Sequence, residues 1–141
     1  MSATLVQTAA SKLCHTIDPS KFLKSAIEKL VVHRIGALPV VDQDKVLKGI
    51  ISERDIIRQL HTSKNFKDLL VGSVMTRNLI TCNLDARANE IMELMTEYRI
   101  RHILIAEGKK LLGIISIGDV VSRLLEKYKN EAELLKSYIN S

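Results

Sequence analysis

The sequence predicts an α+β fold built from two β-α-β-β-α repeats packed against each other, followed by an extended C-terminal helix. Two observations predict it. Segment 15–60 aligns within segment 80–125 at an offset of 65 residues, which becomes 64 after a one-residue deletion in a hairpin turn. Within each copy, the apolar residues pass from helical spacing to two short strand-like runs. A period this long, present twice, is typical of a duplicated supersecondary unit rather than a solenoid.

The first half of each copy is predicted to be a short strand and a helix. The two strands end near Thr16 and Thr81. In the first copy the apolar positions follow the spacing i, i+3, i+4, i+7 and i+8, and they are Leu23, Ala26, Ile27, Leu30 and Val31. This spacing places them on one face of a helix, so we expect that face to be buried.

The second half of each copy is predicted to be a hairpin and a second helix. The strand-like runs are 37–41, 46–51, 102–106 and 110–115. Both hairpins end in Gly-Ile-Ile-Ser, where Gly49 or Gly113 either suits a bend or lets a ring approach the backbone. One unit alone exposes too much apolar surface to be stable, so we expect the two units to pack through their sheets.

The repeat divides the chain into five parts. They are an N-terminal segment (1–14), repeat 1 (15–61), a connector (62–78), repeat 2 (79–125) and a C-terminal helical extension (126–141). Residues 65–70 of the connector predict one or two helical turns. The last helix carries an apolar stripe formed by Leu124, Leu125, Tyr128, Leu135, Tyr138 and Ile139. That stripe either lies back on the domain or pairs with another subunit, and the sequence leaves both open.

Composition excludes several classes of protein. The net charge of +5 is mild, and a chain with no Trp, three Tyr and two Phe lacks the stacking residues of a nucleic-acid binder. No apolar run approaches the roughly 18 residues that span a bilayer. Cys14 and Cys82 are too few for a disulfide framework, and the first residues lack the order of a signal peptide. We therefore predict a cytoplasmic protein that binds neither nucleic acid nor membrane.

The start of each second helix is the most informative motif. Ser52 and Asp55, like Ser116 and Asp119, have the three-residue spacing of a capping box, which is a purely structural interpretation. The same geometry also serves a ligand, because a carboxylate at a helix start accepts two hydrogen bonds from the cis-diol of a ribose. No nucleophile elbow, phosphate loop, dinucleotide fingerprint or zinc motif is present, so we predict neither catalysis nor a metal site.

These residues carry a family resemblance. The duplicated unit, GALPVVD before the first hairpin turn and GIISERD after it, resembles a pair of cystathionine β-synthase (CBS) domains over residues 12–125. SVMTRNLIT resembles the connector that leads into a second CBS repeat. The resemblance implies a pseudo-two-fold pair of repeats that binds adenosine nucleotides in clefts between them, without a catalytic domain. It also implies assembly as a homodimer.

The resemblance places each ligand in a cleft with parts from both repeats. One cleft would contain Ser52, Asp55, Thr81, Arg101, His102 and Ile103. The other would contain Ser116, Asp119, Thr16, Gly36, Ala37 and Leu38. Arg101 and His102 stand where the other cleft has Gly36 and Ala37, so the first cleft is expected to favour a phosphorylated ligand. Arg54 is either a further ligand contact or a surface ion pair.

The predicted function is therefore regulatory. The module would sense energy or redox state by binding AMP, ADP, ATP or NAD(H), need no other cofactor, and act on a regulated enzyme whose identity the sequence does not give. The alternative is a constitutive interaction and dimerisation module with vestigial clefts.

Overall fold

The computed structural model describes residues 3–62 and 65–140, and it contains both predicted repeats. A short helix precedes repeat 1, and the elements to the end of that repeat are α1 (Leu5–Ser11), α2 (Leu23–His33), β1 (Ala37–Val41), β2 (Leu47–Ser52) and α3 (Glu53–Thr62). A 3-10 turn (Phe66–Asp68) and α4 (Val71–Val74) form the connector. Repeat 2 follows as β3 (Thr81–Cys82), α5 (Ala88–Tyr98), β4 (His102–Glu107), β5 (Lys110–Ser116) and α6 (Ile117–Asn140).

The opening strands of the two repeats differ. In repeat 2, β3 pairs in parallel with β4, whose other neighbour is the antiparallel β5. In repeat 1 the predicted strand near Thr16 is reduced to one parallel bridge between Ile17 and Val40. Extending that bridge toward His15 would need the backbone N–H of residue 39, which is Pro39 and has none. The proline therefore shortens the strand.

Each segment that precedes one repeat packs into the core of the other repeat, an arrangement that we call crossed packing. Val71, Val74 and Met75 of the connector pack into the core of repeat 1, with Leu23, Leu30 and Ile51 among its members. Leu5, Val6 and Ala9 of α1 pack into the core of repeat 2, with Ile91, Ile103 and Ile115 among its members. A third cluster, in which Leu47 meets Leu104 and Ala106, joins the two hairpins. The predicted packing through the sheets is confirmed.

Two glycines make this crossed packing possible. A Cβ on Gly49 would lie 2.7 Å from the carbonyl oxygen of Thr76, in the connector that crosses β2. A Cβ on Gly113 would lie 3.1 Å from the Cα of Ala10 in α1. These glycines therefore admit a neighbouring backbone, a role that neither of the two alternatives from the sequence, a bend or an approaching ring, predicted.

The last helix leaves the domain. Val120 is fully buried and Leu124 is half-buried against repeat 2, whereas residues 126–140 are all exposed. Of the two alternatives for the extension, lying back on its own domain is therefore wrong. Among the described residues, no helix has both the length and the apolar character needed to cross a membrane.

Candidate functional site

A cleft of about 540 Å³ lies between the two repeats. The start of α3, the connector and the residues before β4 supply most of its walls. Its polar lining consists of Ser52, Glu53, Arg54, Asp55, Arg58, Thr76, Asn78, Arg101 and His102. Its apolar lining includes Ile50, Ile57, Leu79, Ile80, Ile100 and Leu104. One cavity thus offers an apolar wall, carboxylates and several cations, which suits a small ligand that has both a ring and charged or polar groups.

The corner between β2 and α3 presents a buried carboxylate. Asp55 is only 6% exposed, and its Oδ2 accepts hydrogen bonds from the backbone N–H of Ser52 at 2.9 Å and from the Ser52 hydroxyl at 3.0 Å. The backbone N–H of Asp55 donates in return to Ser52 Oγ at 3.3 Å. The predicted capping box is therefore formed.

The connector adds a third donor to the same carboxylate. The hydroxyl of Thr76 donates to Asp55 Oδ1 at 3.1 Å, and Arg58 lies 3.8 Å from that oxygen. The backbone N–H and C=O of Thr76 also pair with those of Ile50. The hydroxyls of Thr76 and Ser52 therefore occupy acceptor positions on the Asp55 carboxylate for which a ligand diol would compete.

The rest of the cleft is cationic. Arg54, Arg58 and Arg101 line it together with two carboxylates, so the formal balance is positive. The guanidinium of Arg54 donates to the carbonyl oxygen of Arg99 at 3.1 Å, where α5 ends in a left-handed residue. Neither alternative for Arg54 predicted this contact: its guanidinium binds the carbonyl at the end of α5, and the same side chain lines the cleft.

His102 lies beside a glycine at the cleft wall. A Cβ on Gly36 would lie 3.2 Å from Cε1 of the imidazole, so the absence of a side chain makes room for the ring. Burial lowers the pKa of His102 from its ordinary value, while the carboxylates of Glu53 and Asp119 oppose that shift and Arg101 adds to it. The imidazole is therefore neutral at pH 7 and can donate one hydrogen bond.

The structure brings together most of the residues predicted for the first cleft. Ser52, Arg54, Asp55, Arg101 and His102 all line it. The other two lie apart from its lining. Thr81 is exposed and pairs with Leu104 through the backbone, and the side chain of Ile103 is fully buried in the repeat 2 core.

The residues predicted for the second cleft have different surroundings from one another. Gly36 lines the first cleft instead. Ala37 and Leu38 are buried in β1, and the carbonyl oxygen of Thr16 accepts a hydrogen bond from Lys29 at 2.6 Å.

The capping box of α6 is formed by the two remaining residues of that set. Asp119 Oδ2 accepts from the backbone N–H of Ser116 at 2.9 Å, and the N–H of Asp119 donates to Ser116 Oγ at 3.2 Å. Lys12 lies 4.0 Å from Asp119, whose side chain is 34% exposed.

Sequence reasoning missed the contribution of the connector. Thr76 and Asn78 line the cleft, although they precede the predicted second repeat. Extending the 65-residue offset backward would have aligned Thr76 with Ser11, and so would have shown a hydroxyl at the same place in both copies. Within the described part of the chain, no cluster of three or more His, Cys, Asp or Glu residues is placed to hold a metal ion.

The duplicated α+β unit and the polar cleft between its halves define a tandem-repeat module with a candidate ligand site. The chain belongs to the CBS domain family, whose sequence pattern matches residues 9–62 and 71–126. It is 37% identical over 119 residues to the CBS domain-containing protein CBSX3, mitochondrial, of Arabidopsis thaliana. That match covers 81% of this chain and 58% of the Arabidopsis protein.

Two solved structures show the same fold. The CBS-domain containing protein ATU1752 of Agrobacterium tumefaciens superposes with a TM-score of 0.78 at 34% identity, over 84% of this chain and 94% of that one. The CBS domain pair of protein MJ0100, in complex with 5′-methylthioadenosine and S-adenosyl-L-methionine, superposes with a TM-score of 0.77 at 30% identity. That match covers 90% of this chain and 99% of the other.

Proposed function

We propose that this protein is a non-catalytic regulatory module that binds an adenosine nucleotide in the Asp55 cleft. The observation that carries the proposal is the pairing, in one cavity, of a buried carboxylate at a helix start with Arg101, His102 and two further arginines. A carboxylate suits a ribose diol, and an arginine suits a phosphate, because each matches the other's hydrogen-bonding groups and charge.

In the proposed complex, each part of such a ligand has its own contacts in the cleft. The ribose hydroxyls replace the hydroxyls of Thr76 and Ser52 on the Asp55 carboxylate. The phosphate lies near Arg101 and His102, and the adenine ring packs on apolar residues such as Ile50 and Leu104. The MJ0100 structure, whose two ligands are adenosine derivatives, supports an adenosine moiety. The cationic lining of the cleft in this chain is what favours a phosphorylated ligand, such as AMP, ADP, ATP or NAD(H).

The test compares AMP with adenosine. Arg101→Ala should weaken AMP binding by about 1.5–3 kcal/mol and leave adenosine binding nearly unchanged, because only AMP has a phosphate for the guanidinium to contact. Isothermal titration calorimetry measures both affinities. The matched control is Arg87→Ala, which removes an exposed arginine outside the cleft lining. Equal loss of AMP and adenosine binding would show that Arg101 is structural.

One observation favours a second candidate, a constitutive dimerisation module with vestigial clefts. Asp55 is already occupied by Ser52 and Thr76, as in a purely structural capping box. Mass spectrometry of the purified protein separates the two candidates. Co-purifying nucleotide, or a rise in melting temperature with any adenine nucleotide, excludes the vestigial cleft, because a ligand that binds the folded state stabilises it.

We also propose that the protein is a homodimer that acts on a partner enzyme in the cytoplasm. Exposed apolar residues on the repeat helices, such as Val31, Ile57 and Leu60, support self-association. The free thiols of Cys14 and Cys82 suit a reducing compartment. Sedimentation at tens of micromolar tests the dimer, and a monomer at that concentration would reject it.

A further inference from the structure

One side of α6 carries a regular apolar pattern where the helix leaves the domain. Its residues recur alternately every four and every three positions, and they are Val121, Leu125, Tyr128, Ala132, Leu135 and Ile139. We call these six residues the α6 seam. All of them are exposed, and Leu125, Tyr128 and Leu135 have exposed fractions between 61% and 64%.

The spacing of the seam is that of a coiled coil. Alternation of four and three corresponds to the a and d positions of a heptad, with Leu125, Ala132 and Ile139 at a. The seam extends for about 28 Å at the helical rise of 1.5 Å per residue. It is separate from the side of α6 that holds the domain, where Val120 is buried. The helix therefore has one side packed on its own repeat and another side that is exposed.

Charge complementarity identifies the partner and its direction. Glu131 occupies the g position, and Lys129 and Lys136 occupy e positions. In a parallel pair of identical helices, Glu131 of each copy faces Lys136 of the other, because g faces the next e of the partner. In an antiparallel pair, e faces e, so the lysines would face lysines. The pattern therefore suits a second copy in parallel orientation.

We propose that α6 of one copy pairs with α6 of a second copy as a parallel, in-register, two-stranded coiled coil. The inference goes beyond nucleotide binding and does not depend on it. In a dimer that forms through the repeat helices, the coiled coil would be a second contact, with the two α6 helices parallel. A helix pair this short is marginal alone, but attachment to folded repeats makes its formation effectively intramolecular once they associate.

Cysteine cross-linking tests the direction and register in the full chain. In a Cys14→Ser/Cys82→Ser background, Leu135→Cys places a thiol at a d position, and parallel pairing brings the two copies within disulfide reach. The matched control is Ser137→Cys, two residues away at the outward f position. Mild oxidation should give a covalent dimer with Leu135→Cys and little with Ser137→Cys.

A mixture of two variants detects the opposite direction. In an antiparallel pair the d position at 135 lies near 125 of the partner, so Leu125→Cys and Leu135→Cys would cross-link to each other and Leu135→Cys would not cross-link to itself. That result, or equal cross-linking of Leu135→Cys and Ser137→Cys, would overturn the proposal. All reactions use nucleotide-free protein, so failure of nucleotide binding does not affect the outcome.

A charge exchange gives an independent readout. Glu131→Lys should weaken dimerisation about tenfold, because two symmetry-related attractive pairs become repulsive. Lys136→Glu should act similarly, and the double exchange should restore affinity to within about threefold of the original. Glu126→Lys, at an outward b position, is the control and should have little effect. Sedimentation measures the dimer affinity, and absence of rescue by the double exchange would contradict the parallel arrangement.

Discussion

The two capping boxes use the same side chains and present them differently. Asp55 is almost completely buried and accepts hydrogen bonds from Ser52 and Thr76, whereas the Asp119 side chain is 34% exposed and accepts from Ser116 alone among the hydrogen bonds described. The difference comes from the segment that crosses each hairpin. Thr76 of the connector donates to Asp55, but Ser11, its counterpart in α1, donates to the carbonyl oxygen of Thr8. A neighbouring segment therefore decides how available a repeated motif is to a ligand.

The largest expected effect is a difference in AMP affinity between variants of the two carboxylates. Asp55→Asn nearly preserves helix capping but removes the charge that accepts a ribose diol, so AMP binding should weaken by about 1.5–3 kcal/mol. Asp119→Asn is the matched variant and should change AMP affinity at the Asp55 cleft by less than about threefold, because it lies in the other capping box. Calorimetry checks both. Unchanged AMP binding by Asp55→Asn would show that the ribose lies elsewhere.

The second expected effect concerns the crossing segments themselves. Gly49→Ala places a Cβ 2.7 Å from a backbone oxygen and should reduce the free energy of unfolding by about 1–3 kcal/mol. Gly113→Ala, with its nearest contact at 3.1 Å, should cost less. Urea denaturation measures both.

A glycine in open helix is the control for these two variants. Gly118→Ala meets only the Ser116 hydroxyl, at 3.6 Å, and should stabilise the protein slightly, since alanine favours a helix over glycine. If Gly113→Ala destabilised the protein more than Gly49→Ala, the connector would not be the tighter crossing.

The third prediction concerns a variant in which Asp55, like Asp119, has no hydrogen-bond donor from a crossing segment among the described residues. Thr76→Val removes the third donor and should cost about 1 kcal/mol of stability, the net value of a typical intramolecular hydrogen bond. It should also raise AMP affinity, because Asp55 Oδ1 becomes free for the ligand. Ser11→Ala is the matched change in the other repeat and should leave AMP affinity unaltered. A loss of AMP affinity in Thr76→Val would mean that the threonine itself contacts the ligand.

The smallest expected effect is a pH dependence of stability that comes from His102 in repeat 2. The pKa of His102 is lowered in the folded protein, so the unfolded chain binds a proton at this residue more readily. The contribution of His102 to the free energy of unfolding should therefore be full above pH 6.5 and should decline as the pH falls below it. The slope from one proton cannot exceed about 1.4 kcal/mol per pH unit. His102→Gln should reduce the decline between pH 7 and 5, as measured by urea denaturation. The counterpart residue is Ala37, which does not titrate, and an unchanged slope would contradict the assignment to His102.

The repeat in the sequence was sufficient to predict the fold, because apolar spacing and hairpin signals recur in both copies. The family resemblance, and not the repeat itself, grouped Ser52, Asp55, Arg101 and His102, and the structure places these four in the lining of one cavity. Thr76 was missed because it lies in the connector, before the start of the aligned segment 80–125. Gly36 was placed in the other cleft because the repeat alignment equates it with Arg101 and gives no sign that it makes room for His102.

Because α1 packs on repeat 2, the cores of the two repeats can be completed at different stages of synthesis. The core of repeat 1 draws its members from residues 17–75, so it can close as soon as the connector has left the ribosome. The core of repeat 2 combines Leu5 and Val6 with Ile115 and Val120. Leu5 and Val6 are therefore synthesised early, but they cannot pack into this core until the end of the second hairpin has been synthesised. Contacts of such long sequence separation form slowly, so the core that contains the first described helix of the chain is also the last to be completed.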